Sequence, residues 1–92
     1  MIKGFNCKDT EKLFLDVFVK RFSGISESGR RKLYMLDAAI SLDVLRLPPS
    51  NHLEALKGDR KGHHSIRVNQ QWRVCFKWKE GHAYHVEIVD YH

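Results

Sequence analysis

The segment Trp72-Arg73-Val74-Cys75-Phe76-Lys77-Trp78 alternates apolar and polar residues without a break. A two-residue period places Trp72, Val74, Phe76 and Trp78 on one face of an extended strand and Arg73, Cys75 and Lys77 on the other. One face must therefore be buried and the other must meet water or an anion. Flanking stretches continue the theme. His64 to Asn69 and Tyr84 to Val89 read as two more strands, with Ile66, Val68, Tyr84, Val86 and Ile88 joining the apolar side. Asn69-Gln70-Gln71 supplies one tight turn and Lys79-Glu80-Gly81-His82 the other, where Gly81 takes a positive φ at little cost.

A sheet with one apolar face needs a cover, and the first half of the chain provides it. After a short strand over Ile2 to Phe5, Asp9 and Thr10 can cap a helix running to about Lys20. Its stripe is Leu13, Phe14, Val17 and Phe18. Ser23-Gly24 breaks the pattern. A second helix is predicted from about Ser26 to Ser41, facing inward with Leu33, Leu36, Ala39 and Ile40. Pro48-Pro49-Ser50-Asn51 forms a loop, since neither proline can donate a backbone bond and Pro49 biases Pro48 out of helix. Leu53 to Leu56 adds a short strand. Ninety-two residues make one domain over 1–92. The predicted class is α+β, with two N-terminal helices packed on one face of a small, mostly antiparallel sheet.

The net charge of +5 and pI near 9.4 favour a polyanionic partner. No apolar run is long enough to span a bilayer, and the opening Met1-Ile2-Lys3-Gly4-Phe5 lacks a signal-peptide core, so a cytoplasmic protein is expected. Cys7 and Cys75 do not make a disulfide framework. His63 and His64 fall on opposite faces of a strand, and no cysteine pair or carboxylate-rich motif accompanies them. No metal site or cofactor is expected.

Cleaving RNA without a metal takes a base for the 2′-OH, cations for the phosphorane-like transition state and an acid for the leaving 5′-oxygen. The chain can supply these. His92 has an ordinary pKa near neutrality, Asp90 can orient it, and Tyr91 can stack on a base or position the 2′-OH. Lys57 and Arg73 bring fixed positive charge. Each also has a plainer reading. Lys57-Gly58-Asp59-Arg60 suits a charged turn, and alternating Arg73 and Lys77 suit the solvated side of any sheet. Lys20, Arg21, Arg30, Arg31 and Lys32 are candidate contacts for ribosomal RNA or simply a solvated face.

Taken together, Leu56-Lys57-Gly58-Asp59-Arg60-Lys61-Gly62, Ser65-Ile66-Arg67-Val68, Gln71-Trp72-Arg73, Gly81-His82-Ala83-Tyr84 and Asp90-Tyr91-His92 closely resemble the HigB-type toxins of bacterial toxin–antitoxin pairs, in the wider RelE superfamily. The resemblance spans nearly the whole chain and is most specific over residues 56 to 92. It implies a RelE-like microbial RNase fold and a ribosome-dependent mRNA endonuclease that enters the A site of the 70S ribosome. It also implies neutralisation by a small helix-turn-helix antitoxin, with DNA reached only through that partner. By position it makes Lys57, Asp90, Tyr91 and His92 catalytic candidates. Arg73 becomes a phosphate contact, Gln71 a base reader, and Arg67 and Lys77 further RNA contacts. One position departs. Some relatives carry a histidine three residues before the lysine, where this chain has Glu54. A carboxylate there can act as a base or repel a phosphate, so a non-catalytic basic module that binds RNA or the ribosome is the alternative.

Overall fold

The structure is a computed structural model that describes residues 1–90; Tyr91 and His92, two of the expected catalytic residues, lie outside the described residues. Helix α1 covers Lys8–Phe14 and α2 covers Ser26–Ala38. Strands β1 (Glu54–Ala55), β2 (His63–Arg67), β3 (Trp72–Lys79) and β4 (His82–Asp90) form one antiparallel sheet in the order β1-β2-β3-β4. Short 3-10 turns fill Lys20–Ile25, Leu42–Arg46, Pro49–Asn51 and Gly58–Arg60. The α+β class and the placement of both helices on the apolar face of the sheet are as the patterning predicts.

That face makes the core. Ile66, Val74, Phe76, Ala83, Val86 and Ile88 from the sheet are buried against Leu13, Phe22, Leu33, Leu36 and Leu45. Each of these side chains larger than alanine contributes about 1.5–3 kcal/mol of burial. Helix α2 lies close because Gly29 has no side chain. A Cβ there would stand 3.2 Å from Leu13 Cδ2 and 3.5 Å from Ile88 Cδ1.

Several expectations are corrected. Helix α1 ends at Phe14, not near Lys20. Asp16 takes the left-handed conformation at φ 64°, the Val17 N–H returns to the Lys12 carbonyl, and the Asp16 N–H returns to the Leu13 carbonyl. This is the Schellman closure, made here by aspartate where glycine is usual, so the sequence does not advertise it. Val17 and Phe18, assigned to the stripe, are consequently exposed. Helix α2 also stops early, and Ile40 points outward at 85% exposure. Residues 2–5 do not form a full strand. They pair with β4 in parallel fashion through two isolated bridges, Ile2 to Ala83 and Phe5 to Val86.

The last correction concerns Tyr84. Trp78 pairs with Ala83 and Lys77 with Tyr84, yet Cys75 pairs with Glu87, so β4 carries one extra residue opposite Phe76. His85 sits there at φ 53°. The bulge inverts the alternation, placing Tyr84 beside Lys77 on the polar face while Val86 and Ile88 stay in the core.

Candidate functional site

The face of the sheet turned away from the helices is arranged in cross-strand rows. Arg67 faces Arg73, which faces Val89; Ser65 faces Cys75, which faces Glu87; His63 faces Lys77, which faces Tyr84. On the outer edge Glu54 stands opposite Ser65. The expected cationic strip exists, but carboxylates are interleaved with it and its middle is covered. Cys75 and Ser65 are buried, and Arg73 is only 8% exposed. The chain between β1 and β2 folds back toward this face, because Arg60 on its 3-10 turn reaches Glu87 on β4 at 3.4 Å.

Arg73 is held from several sides. Its Nε donates to Ser65 Oγ at 2.8 Å, while Nη2 donates to the His52 carbonyl at 2.5 Å and to the Ser65 carbonyl at 3.3 Å. Glu54 Oε1 lies 3.9 Å from Nη1. The guanidinium is thus fixed in orientation, which a flexible lysine could not be. His52 contributes through its backbone from a left-handed conformation, φ 44°. Beside it, burial pushes the Cys75 thiol up; nearby Arg60 opposes that, Glu87 adds to it and Arg73 opposes it, so the thiol stays neutral at physiological pH.

Of the residues singled out from the sequence, Gln71 and Asp90 are brought together directly. Gln71 Nε2 donates to Asp90 Oδ2 at 3.0 Å across the β3–β4 edge. The turn behind them is rigid, because Asn69 Oδ1 accepts from the backbone N–H of both Gln71 and Trp72 at 2.8 Å. Arg67 donates from Nε to the Asn69 carbonyl at 3.1 Å, anchoring the same turn. Gln71, Asp90, Arg67 and Arg73 therefore share one end of the sheet. Lys77 stands at the other end of β3, and Lys57 lies exposed where the chain leaves β1.

The basic helical residues divide. Arg30 donates to the Leu13 carbonyl at 2.9 Å and pairs with Asp16 at 3.2 Å, closing the C-terminus of α1. Arg21 pairs with Asp9 at 3.2 Å and lies over the Phe22 ring. The Lys32 ammonium turns inward to Asn51. Lys20 and Arg31 are exposed. The sequence reading missed Arg60 as the cation bridging to Glu87, and it missed the Ser65 hydroxyl and His52 carbonyl as the groups that aim Arg73. Only the folding of the His52 and Arg60 segments onto the sheet reveals these partners.

Among the described residues, no group of three or more His, Cys, Asp and Glu side chains could hold a metal ion, and no helix is long and apolar enough to cross a membrane.

The chain is a small α+β domain with two helices behind the sheet and fixed cations in front. The chain is similar in fold to a single-residue mutant of YafQ from E. coli, with a TM-score of 0.67 and 16% identity over 98% of this chain and 93% of that one. It is also similar to a chain of the YoeB-YefM complex from Staphylococcus aureus, with a TM-score of 0.57 and 18% identity over 100% of this chain and 98% of that one. Residues 5–92 match the family described as the RelE-like toxin of type II toxin-antitoxin system HigB, and the chain belongs to that family of HigB-like toxins. Toxin HigB-1 of Vibrio cholerae is 49% identical over 61 residues, which are 66% of this chain and 64% of that protein. Endoribonuclease HigB of Proteus vulgaris is 48% identical over 40 residues, 44% of each. The match thus spans just under two thirds of the Vibrio relative's length and under half of the Proteus relative's.

Proposed function

We propose that this protein is a toxin that inhibits translation by cutting mRNA in the ribosomal A site, and that a helix-turn-helix antitoxin neutralises it. The observation that carries this reading is the 3.0 Å hydrogen bond between Gln71 and Asp90. It joins a side chain able to read a base edge to a carboxylate of the terminal set, at the end of the sheet where Arg67 and Arg73 gather positive charge. The Proteus relative, named an endoribonuclease, supports the same chemistry.

In this reading the scissile phosphate lies against Arg73, with Lys57 reaching it from its loop. The substrate's 2′-oxygen attacks the adjacent phosphorus as its proton passes to a carboxylate base. The P–O5′ bond then breaks, and the imidazolium of His92 protonates the departing 5′-oxygen. The products are a 2′,3′-cyclic phosphate and a 5′-hydroxyl. Positioning and fixed charge supply the stabilisation, with no metal in the step. The protein acts in the cytoplasm, where ribosomes are its target.

The test is primer extension on a message carried by translating ribosomes, with EDTA present. New 5′ ends at A-site codons are expected. Intact message at every codon overturns the reading. His92→Ala is expected to lose most cleavage while still binding ribosomes. A second reading, a non-catalytic module that occupies the A site, draws on Glu54 lying 3.9 Å from Arg73, where it competes with a phosphate. It predicts inhibited translation without new RNA ends.

A further inference from the structure

The polar face has a second end that the chemistry above does not use. Around the β-bulge, Lys77, Lys79, Glu80, Tyr84 and His85 line a shallow cavity of about 230 Å³. In a regular strand Tyr84 and His85 would project to opposite sides. The extra residue opposite Phe76 lets both line the same cavity. His85 also stacks on His63 of β2, with ring centroids 6.4 Å apart and planes inclined by 23°.

The conformation that achieves this is costly. His85 holds φ 53°, the left-handed region in which a residue with a Cβ is strained and glycine is not. Strain of this kind, on the order of 1–3 kcal/mol, clusters where a side chain is being aimed for a purpose. Glycine at this position would relieve the strain and keep the bulge. What the histidine adds is a ring.

We propose that this end of the face is a second RNA subsite, in which a base of single-stranded RNA stacks on the Tyr84 and His85 rings while Lys77 and Lys79 hold its phosphate. The proposal rests on the RNA-cleaving reading and names where the message runs beyond the cut. Rings interleaved with cations are the general solution for gripping single strands, since every base has a π-face and every nucleotide a charge. Glu80 on the rim offsets one lysine and leaves the two lysines and the glutamate with a single excess positive charge. From Trp72, paired with Asp90, to Lys77 the strand runs five residues. At about 3.3 Å per residue that is about 17 Å, a span for several nucleotides rather than one. The strand then lies along β3, held at both ends.

Two readouts test this on the full chain. The first is anisotropy of a fluorescein-labelled oligouridylate with 2′-deoxy residues, which cannot be cut, at low salt. The second is the KM and kcat for message cleavage on translating ribosomes. The variant combines Tyr84→Ala with His85→Gly, and the single variant His85→Gly keeps the backbone unstrained. The double variant should bind the oligonucleotide about five- to 150-fold more weakly, the range that stacking of one base gives. Its cleavage should lose through a raised KM at similar kcat, with the melting temperature not lowered. Wild-type binding without cleavage would sink the nuclease reading and leave the subsite standing. Cleavage by wild type with equal oligonucleotide affinity and equal KM in the double variant overturns the subsite and leaves the nuclease reading. Absence of wild-type oligonucleotide binding also overturns it.

Discussion

Lys32 donates from its ammonium to Oδ1 of Asn51 at 2.5 Å, fastening α2 to the turn at Pro49–Asn51. Asn51 is fully buried, and its amide donates to the Leu45 carbonyl at 3.1 Å, the Leu47 carbonyl at 3.2 Å and the Met35 sulfur at 3.1 Å. The irregular chain after α2 is thus organised around one side chain. Burial, with the neighbouring Arg31 charge, lowers the Lys32 pKa, so part of the benefit is spent in desolvating the ammonium.

Replacing Asn51 with alanine leaves the Leu45 and Leu47 carbonyls without this donor. The expected loss is about 2–3 kcal/mol of stability, read in urea unfolding as a lower midpoint at unchanged slope. Lys32→Met should cost less, because it removes a desolvated charge along with the bond. The two changes should couple by about 1 kcal/mol in a double-mutant cycle, and strict additivity would show the bond to be energetically empty.

Arg73→Lys keeps the charge and loses the fork. Lysine cannot meet the Ser65 hydroxyl, the Ser65 carbonyl and the His52 carbonyl together. The variant should therefore be less stable by about 1–3 kcal/mol, seen as a fall of roughly 5–20 °C in melting temperature. Wild-type stability would mean that the buried fork contributes nothing.

Gln71→Ala removes an exposed side chain and should change stability by less than about 0.5 kcal/mol. Its effect is expected in the cleavage pattern instead. With the amide gone, primer extension should show cuts at a broader set of codons. An unaltered codon profile removes Gln71 from base reading.

His64 stacks on Phe76, with centroids 6.0 Å apart, and its Nδ1 is buried with no hydrogen-bond partner among the described residues. Burial lowers its pKa below 6.5, and the adjacent His63 charge lowers it further, against a hydrogen bond that the ring donates to the Gly62 backbone. A depressed histidine binds its proton more readily unfolded than folded. Its stabilising contribution is full above pH 6.5 and is lost as the pH falls from there through the folded value. One such group changes stability by at most about 1.4 kcal/mol per pH unit. His64→Phe, which keeps a stacked ring, should flatten the decline in unfolding free energy between pH 7 and 5. An identical slope would assign the decline to other groups.

Residues whose role follows from period and composition were legible before folding. The alternation over Trp72 to Trp78 fixes β3, the core face and the opposing Arg73 row, and the strands on either side follow from it. What could not be read depends on single residues in conformations their type disfavours. Asp16 ends α1 in a position usually held by glycine. His85 makes a bulge without a glycine to mark it, so Tyr84 was expected in the core. The candidate site was half legible. Gln71 and Arg73 are where alternation and turn spacing put them, whereas Asp90, expected to leave the strand, continues β4 opposite Trp72. The roofing of Arg73 by the His52 segment and the reach of Arg60 to Glu87 require chain crossings that no local pattern encodes.

The segment beside β4 carries a last implication. Met1 and Lys3 bond to Ala83, Gly4 and Asn6 bond to Val86, and the Thr10 hydroxyl accepts from the Ile88 amide. These bonds join segments far apart in sequence, Thr10 and Ile88 being 78 positions apart. Contacts of such long range form late. A chain from which β4 is missing therefore cannot close this side of the core, and the fold is sealed only when both distant segments meet.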